Sequence, residues 1–204
     1  MIPPGTPEWV KARVGCLGAS MMPTVMLPPN KDGSEKAAKV NLRKTLVAER
    51  MTGFAADHYV SPAMQHGLDW EDQAKLEYEA YSGNLVSPSG WIEHPTIAFA
   101  GATPDAFVNE DGLLEVKCPT TTTHLDWIMA GVVPPEYQPQ MAFQILCTGR
   151  LWADFASFDP RVKIESRKLF VVRFRPTPEY LEEIEREART FLFEVDALFE
   201  RVTT

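Results

Sequence analysis

The segment from Thr103 to Pro119 holds the residues best able to do chemistry. Asp105 follows Pro104, and after nine intervening residues come Glu115, Val116 and Lys117. Between them Glu110-Asp111-Gly112 is a tight-turn signal flanked by apolar residues, and an Asp-Gly pair between two apolar runs marks a hairpin. Folding that hairpin brings Asp105 toward Glu115 and Lys117. These last two are two residues apart, so they share one face of a strand. Two carboxylates on one face suit a hard divalent cation, Mg²⁺ being the usual choice where phosphate is the substrate. A lysine beside them can offset phosphate charge or position an attacking water. Taken alone, the same residues also read as an exposed hairpin face with a cross-strand ion pair.

The surrounding elements must place these groups. Helices are expected over 7–14, 35–51, 61–81, 123–130 and 135–147. A long final helix should run from about 177 to 202, and Ser20 should cap a short helix limited by Pro23. Ser61-Pro62 supplies an N-cap and a first-turn proline, with Gly83 as the stop. Strands are expected at 84–86, 91–93, 97–100, 106–109, 113–117, 151–158 and 168–174, the last two rich in aromatic and branched residues. In the final helix Leu181, Ile184, Ala188, Phe191, Val195 and Leu198 form one apolar stripe. This order fits an α/β (α+β) fold with a mixed central sheet flanked by helices.

With 204 residues and 45% hydrophobic content, residues 1–204 read as one globular domain. No apolar run approaches the ~20 residues that span a bilayer. The start, Met1 to Gly5, lacks a basic region followed by an apolar one, so no secretory signal is expected. Cys16, Cys118 and Cys147 are far apart and odd in number, which fits reduced thiols in a cytoplasm and no zinc spacing. His58, His66, His94 and His124 have no ligand spacing. The net charge of −8 argues against a nucleic-acid partner at first sight. Global charge does not set the local field, however, and many acids fall in the last helix.

Five blocks occur in the order of a known family. They are Trp9 through Arg13 to Gly15 with Gly18-Ala19-Ser20, then Gly67 to Glu71, Thr103-Pro104-Asp105, Leu114 to Pro119, and Tyr137 to Gln140. Together the blocks resemble the lambda-exonuclease (YqaJ-type) family of phage recombination exonucleases, within the PD-(D/E)xK nuclease superfamily. A restriction-endonuclease-like core is implied. The absence of a cysteine cluster separates the chain from the iron–sulfur branch of that superfamily. Thr103 stands where the family often has Ser and keeps the hydroxyl, and Ala106 stands where it often has Gly, so positive φ is not expected there. Pro139 should occupy the first turn of its helix.

The resemblance implies roles. Asp105, Glu115 and the carbonyl of Val116 would hold the metal, with Glu71 on a second ion or its water. Lys117 would orient or help deprotonate the attacking water, and Gln140 would contact the nucleophile or scissile phosphate. Gln138 and Gln144 are secondary candidates. Arg13, Ser20 and Thr103 would hold a 5′-terminal phosphate, for which the guanidinium fork is suited. Met64 stands where the family places an apolar wedge that splits the terminal base pair. The implied activity is Mg²⁺-dependent 5′→3′ digestion of double-stranded DNA to mononucleotides, leaving a 3′ single strand, with two ions and Mn²⁺ as a substitute. A homotrimer, a single-strand annealing protein as partner, no membrane association and a cytoplasmic setting of phage or prophage origin are also implied. The rivals are a structure-specific endonuclease of the same superfamily and a catalytically dead DNA-end-binding module.

Overall fold

The computed structural model describes residues 1–56 and 61–204, without the side chains of Ala63 and Met64. The chain opens with α1 (Pro7–Arg13), whose Thr6 cap accepts from the Trp9 N–H. Next come β1 (Leu17–Gly18), a 3₁₀ turn (Ala19–Met21) and α2 (Met22–Val25). Ser20 lies inside that 3₁₀ turn and caps nothing, because extended Gly18 occupies the cap position. Helix α3 (Ala37–Thr52) starts two residues later than expected and ends at Gly53, at φ 73°. Glu35, outside it, pairs instead with Arg43 at 2.5 Å. Helix α4 (Pro62–Ser82) stops at Gly83, which takes φ 69° and donates to the Glu79 carbonyl.

The strands form two sheets, not one. β2 (Val86–Ser87), β5 (Ala106–Val108), β6 (Gly112–Lys117), β7 (Trp152–Phe158) and β8 (Leu169–Phe174) make the larger, in the order β2-β5-β6-β7-β8. β3 (Ile92–Glu93) and β4 (Ala100–Ala102) join β1 in a small sheet ordered β1-β4-β3. Pairing is parallel for β6/β7 and β1/β4 and antiparallel elsewhere, so both sheets are mixed. The expected strand at 97–100 begins only at Ala100, because Phe99 sits at φ 57° and turns the chain.

The Asp-Gly pair does make a hairpin, but not as its centre. Ala106 pairs with Leu114 and Val108 with Gly112, which leaves Asn109, Glu110 and Asp111 as the loop. The left-handed residue is Asn109, at φ 46°. Gly112 is already in the strand, where a Cβ would run into the Trp152 ring on the neighbouring β7. Its glycine serves close packing.

β6 and β7 are covered on both faces. Leu114 and Val116 face Ala74 and Tyr78 of α4. Leu113, one step along, faces Trp127, Met141 and Ile145, which lie on α5 (Thr121–Ala130) and α6 (Gln138–Thr148). The period of two therefore turns Glu115 and Lys117 toward α6. The last helix, α7 (Pro178–Thr203), buries Ile184, Ala188, Phe191 and Val195 against α2, α3 and α6, with Leu181 and Leu198 at the margin.

A polar network fastens α4 to the sheet. The buried Asp154 of β7 takes two hydrogen bonds from Arg173, at 2.8 and 2.9 Å, and one from the Tyr78 hydroxyl at 2.7 Å. Burial and the Asp154 charge push the phenol up to about 12. Tyr78→Phe should lower unfolding stability by about 2 kcal/mol, the scale of a hydrogen bond to a charged group. A urea melt with an unchanged midpoint would show that this bond does not hold α4.

Candidate active site

β5 ends level with Leu114, so residues 115–117 of β6 have β7 on one side and no strand on the other. Asp105 turns into that open edge, and its Oδ2 accepts the Val116 N–H at 2.6 Å. The bend that delivers it is held by the Ser89 hydroxyl, which donates to the Pro104 carbonyl. Tertiary structure thus brings Asp105 and Glu115 together at the strand end, as the hairpin predicts.

Glu115 has no solvent exposure. Its Oε1 accepts from Lys117 Nζ at 2.5 Å and from Gln140 Nε2 at 2.6 Å. Its Oε2 accepts from Gln144 Nε2 at 2.6 Å. Gln140 and Gln144 reach the same carboxylate because they are one turn apart on α6. Pro139 in the first turn of that helix leaves its hydrogen bonding intact. Gln138 donates to the Val133 carbonyl and takes no part.

The electrostatics follow from burial. Asp105 is pushed well above the carboxylate range by desolvation, then by Glu115, with Glu71 adding to it. Burial alone would lower the Lys117 ammonium, but the charges of Glu115 and Asp105 outweigh it and raise it. Lys117 is therefore held as a cation, with the Tyr137 ring centroid 5.2 Å from its Nζ.

These groups open onto a cleft of about 720 Å³ that also receives Trp9, Arg13, Ser20, Glu71, Lys75, Thr103 and Trp91. Arg13 and Ser20 converge on Gly18: a Cβ there would lie 3.9 Å from both Arg13 Nη2 and Ser20 Oγ. The Arg13 guanidinium lies 3.9 Å from the Trp9 ring and 5.8 Å from that of Trp91. It makes no ion pair or hydrogen bond with a described side chain, and burial lowers its pKa. Trp9 Nε1 donates to Thr103 Oγ1 at 3.0 Å. Glu71 lines the cleft but is paired with Lys75 at 2.6 Å.

The primary sequence-predicted site residues that are described line this cleft or, as with Val116, the adjoining one beside Asp105 and Lys117, whereas the secondary candidates Gln138 and Gln144 line neither. The Met64 side chain lies outside the described residues. Trp9 opens the first sequence block but is given no role there, and Lys75 is not singled out by sequence, although each has a site residue four positions away on its own helix, Arg13 and Glu71. The thiols of Cys16 and Cys118 are pushed up to about 11, chiefly by burial. Among the described histidines, His124 bonds Ser157 and the Arg167 carbonyl, and His94 takes the Thr96 and Ile97 N–H groups. His124 uses both ring nitrogens in a structural role, whereas the buried Nε2 of His94 has no partner among the described residues.

Among the described residues no three His, Cys, Asp or Glu side chains group into a metal cage. The donors on offer are two convergent carboxylates and backbone oxygen. They fit a hard cation: all are oxygens, and burial together with Glu115 raises Asp105, a repulsion that a second positive charge would relieve.

Comparison with known proteins agrees with this site. The model of the YqaJ-like viral recombinase domain matches residues 8–151. The crystal structure of an alkaline exonuclease from Laribacter hongkongensis is 38% identical, with a TM-score of 0.89 over 97% of this chain and 96% of that one. Its complex with dAMP superposes with a TM-score of 0.88 at the same identity and coverage. A phage-related exonuclease from Haemophilus somnus 129PT, 14% identical, shares the fold with a TM-score of 0.69 over 92% of this chain and 96% of that one. No curated protein matches the chain. The length of the family match, with 38% identity to an alkaline exonuclease covered over 96% of its crystallised chain, places this chain in the YqaJ-like viral recombinase domain family, with the fold of an alkaline exonuclease.

Proposed function

We propose that the protein is a Mg²⁺-dependent exonuclease that digests double-stranded DNA from 5′-phosphorylated ends, releasing mononucleotides and leaving a 3′ strand. One observation carries the reading: a single cleft joins the Asp105/Glu115/Lys117/Gln140 group to Arg13, which has no ion pair among the described residues, and to the hydroxyls of Ser20 and Thr103. The first group suits phosphodiester hydrolysis, and the second suits a terminal phosphate. Homology to an alkaline exonuclease supports the same class of activity.

Asp105, Glu115 and the Val116 carbonyl would hold Mg²⁺, with Mn²⁺ as substitute, and Glu71 would serve a second ion on leaving Lys75. When bound, the metal supplies Lewis-acid activation of water and stabilises the leaving oxygen. Lys117 would orient or help deprotonate the attacking water and, as an ammonium, offset the charge of the phosphate oxygens. Gln140 has two amide hydrogens. It can keep one on Glu115 and turn the other toward the nucleophile or phosphate. Arg13, Ser20 and Thr103 hold the 5′-phosphate and so set which bond reaches the acidic pair. Homotrimeric assembly and a single-strand annealing protein as partner belong to the same proposal. No described helix is long and apolar enough to cross a membrane.

The test is digestion of linear duplex DNA with Mg²⁺, labelled separately at each end, beside a closed circle. Release of the 5′ label as mononucleotide, with the circle intact and the 3′-labelled strand surviving, is the expected result. Cutting of the circle would favour a structure-specific endonuclease. Binding without cutting of either would favour an inactive end-binding module.

A further inference from the structure

We infer that Gln144 is a positioning residue that reserves one oxygen of Glu115 for the metal and thereby favours small cations over Ca²⁺. The inference rests on the metal site of the preceding reading and assigns a role within it. Gln144 is fully buried on α6, among Met141, Phe143 and Ile145. Its Nε2 donates to Glu115 Oε2 at 2.6 Å, while its own Oε1 is buried and no described residue donates to it. The amide cannot be turned to satisfy that oxygen, since a carbonyl facing the carboxylate would repel it. A buried carbonyl without a donor is destabilising, and an apolar side chain would avoid it. The amide's single constructive act is therefore to hold Oε2.

That act has a geometric consequence. Lys117 and Gln140 both line the cleft, and both bind Oε1. Gln144 binds the other oxygen and resists rotation of the carboxylate, so Oε1 is the oxygen on the side of the cleft-lining Lys117 and Gln140, open to an ion once one of those two donors turns away. Mg²⁺ and Mn²⁺ accept one oxygen per carboxylate in a tight octahedral shell. Ca²⁺ gains from carboxylates that offer both oxygens in a looser one. Tying Oε2 to an amide withholds the second oxygen.

The experiment uses the full chain without DNA. Mn²⁺ binding is measured by electron paramagnetic resonance of the free ion, and Ca²⁺ binding by calorimetry, for the unaltered protein and for Gln144→Met, which keeps the volume. The variant leaves the buried Glu115 Oε2 without its donor, so it should melt somewhat lower than the parent while still folding, and bind Mn²⁺ roughly 10- to 100-fold more weakly. Its Ca²⁺ affinity should hold or rise, so that the preference for Mn²⁺ narrows by at least about tenfold, on that same scale. A merely structural role would weaken both ions alike, and that result overturns the inference, as does unchanged binding of both. Failure of the unaltered protein to bind Mn²⁺ or Mg²⁺ would overturn the metal site itself and this role with it. Should the variant not fold, the unaltered protein decides. On addition of Mg²⁺ the side-chain amide signals of Gln140 should move in a proton–nitrogen spectrum while those of Gln144 stay in place and remain protected. Movement of both would show that the ion takes Oε2 as well.

Discussion

Lys117→Ala is expected to cut the rate of DNA hydrolysis by about 10³-fold while duplex binding is kept. The magnitude follows from the loss of a preorganised donor aimed at developing charge, which typically removes 10²–10³ in rate. Lys117 exceeds a neutral donor because it carries full charge, which Glu115 and Asp105 maintain against burial. Binding should survive because duplex affinity is spread over many phosphate contacts, of which this is one. The variant also leaves Glu115 without its nearest cation, although Gln140 and Gln144 still hold both its oxygens. A melting curve must therefore accompany the kinetics. Single-turnover cleavage of a 5′-phosphorylated duplex, read beside binding in Ca²⁺, separates chemistry from affinity. Undiminished cleavage by a folded variant would remove Lys117 from the mechanism.

Arg13→Ala should erase most of the preference for a 5′-phosphate over a 5′-hydroxyl end. The guanidinium is desolvated, stacked on Trp9 and free of any ion pair with a described residue. Such a charge is unfavourable until an anion arrives. Hydrogen bonds between charged partners contribute roughly 1.5–3 kcal/mol, so discrimination should fall by roughly 10- to 100-fold. The side chain lies beside Gly18, on which Ser20 also converges, and pairs with no member of the acidic pair, so the rate on a 5′-hydroxyl end should change little. Paired initiation rates on the two ends measure this, and an unchanged ratio would sink the phosphate pocket. Trp9 is part of the same device, since it stacks Arg13 and donates to Thr103.

Much of this was legible in the sequence because it is local. Glu115 and Lys117 share a face by the period of two, and Gln140 falls in the first turn of its helix beside Pro139. The apolar stripe of α7 and the glycine stops of α3 and α4 also follow from residues close in the chain. Other readings failed where a distant neighbour decides. Gly112 looked like the centre of a turn and is instead a strand residue under Trp152, forty positions away. Ser20 looked like a helix cap and stands inside a 3₁₀ turn, in reach of Arg13's neighbour Gly18. The split into two sheets was invisible, since it depends on where Phe99 turns the chain and on β1 pairing with β4 from over eighty residues away.

By itself the sequence determined which residue types are present, their order and their periodicity. That was enough for the acidic pair with its lysine, for the α/β class and for the likeness to a family. Tertiary structure alone decided which oxygen of Glu115 each donor takes, that Gln144 joins Gln140 on it while Gln138 does not, and that Lys117 stays charged. The reason is physical. Periodicity depends on neighbours a few residues apart, whereas burial, charge state and hydrogen-bond partners depend on the low-dielectric contacts made when β6, α6 and the Asp105 bend close on one another.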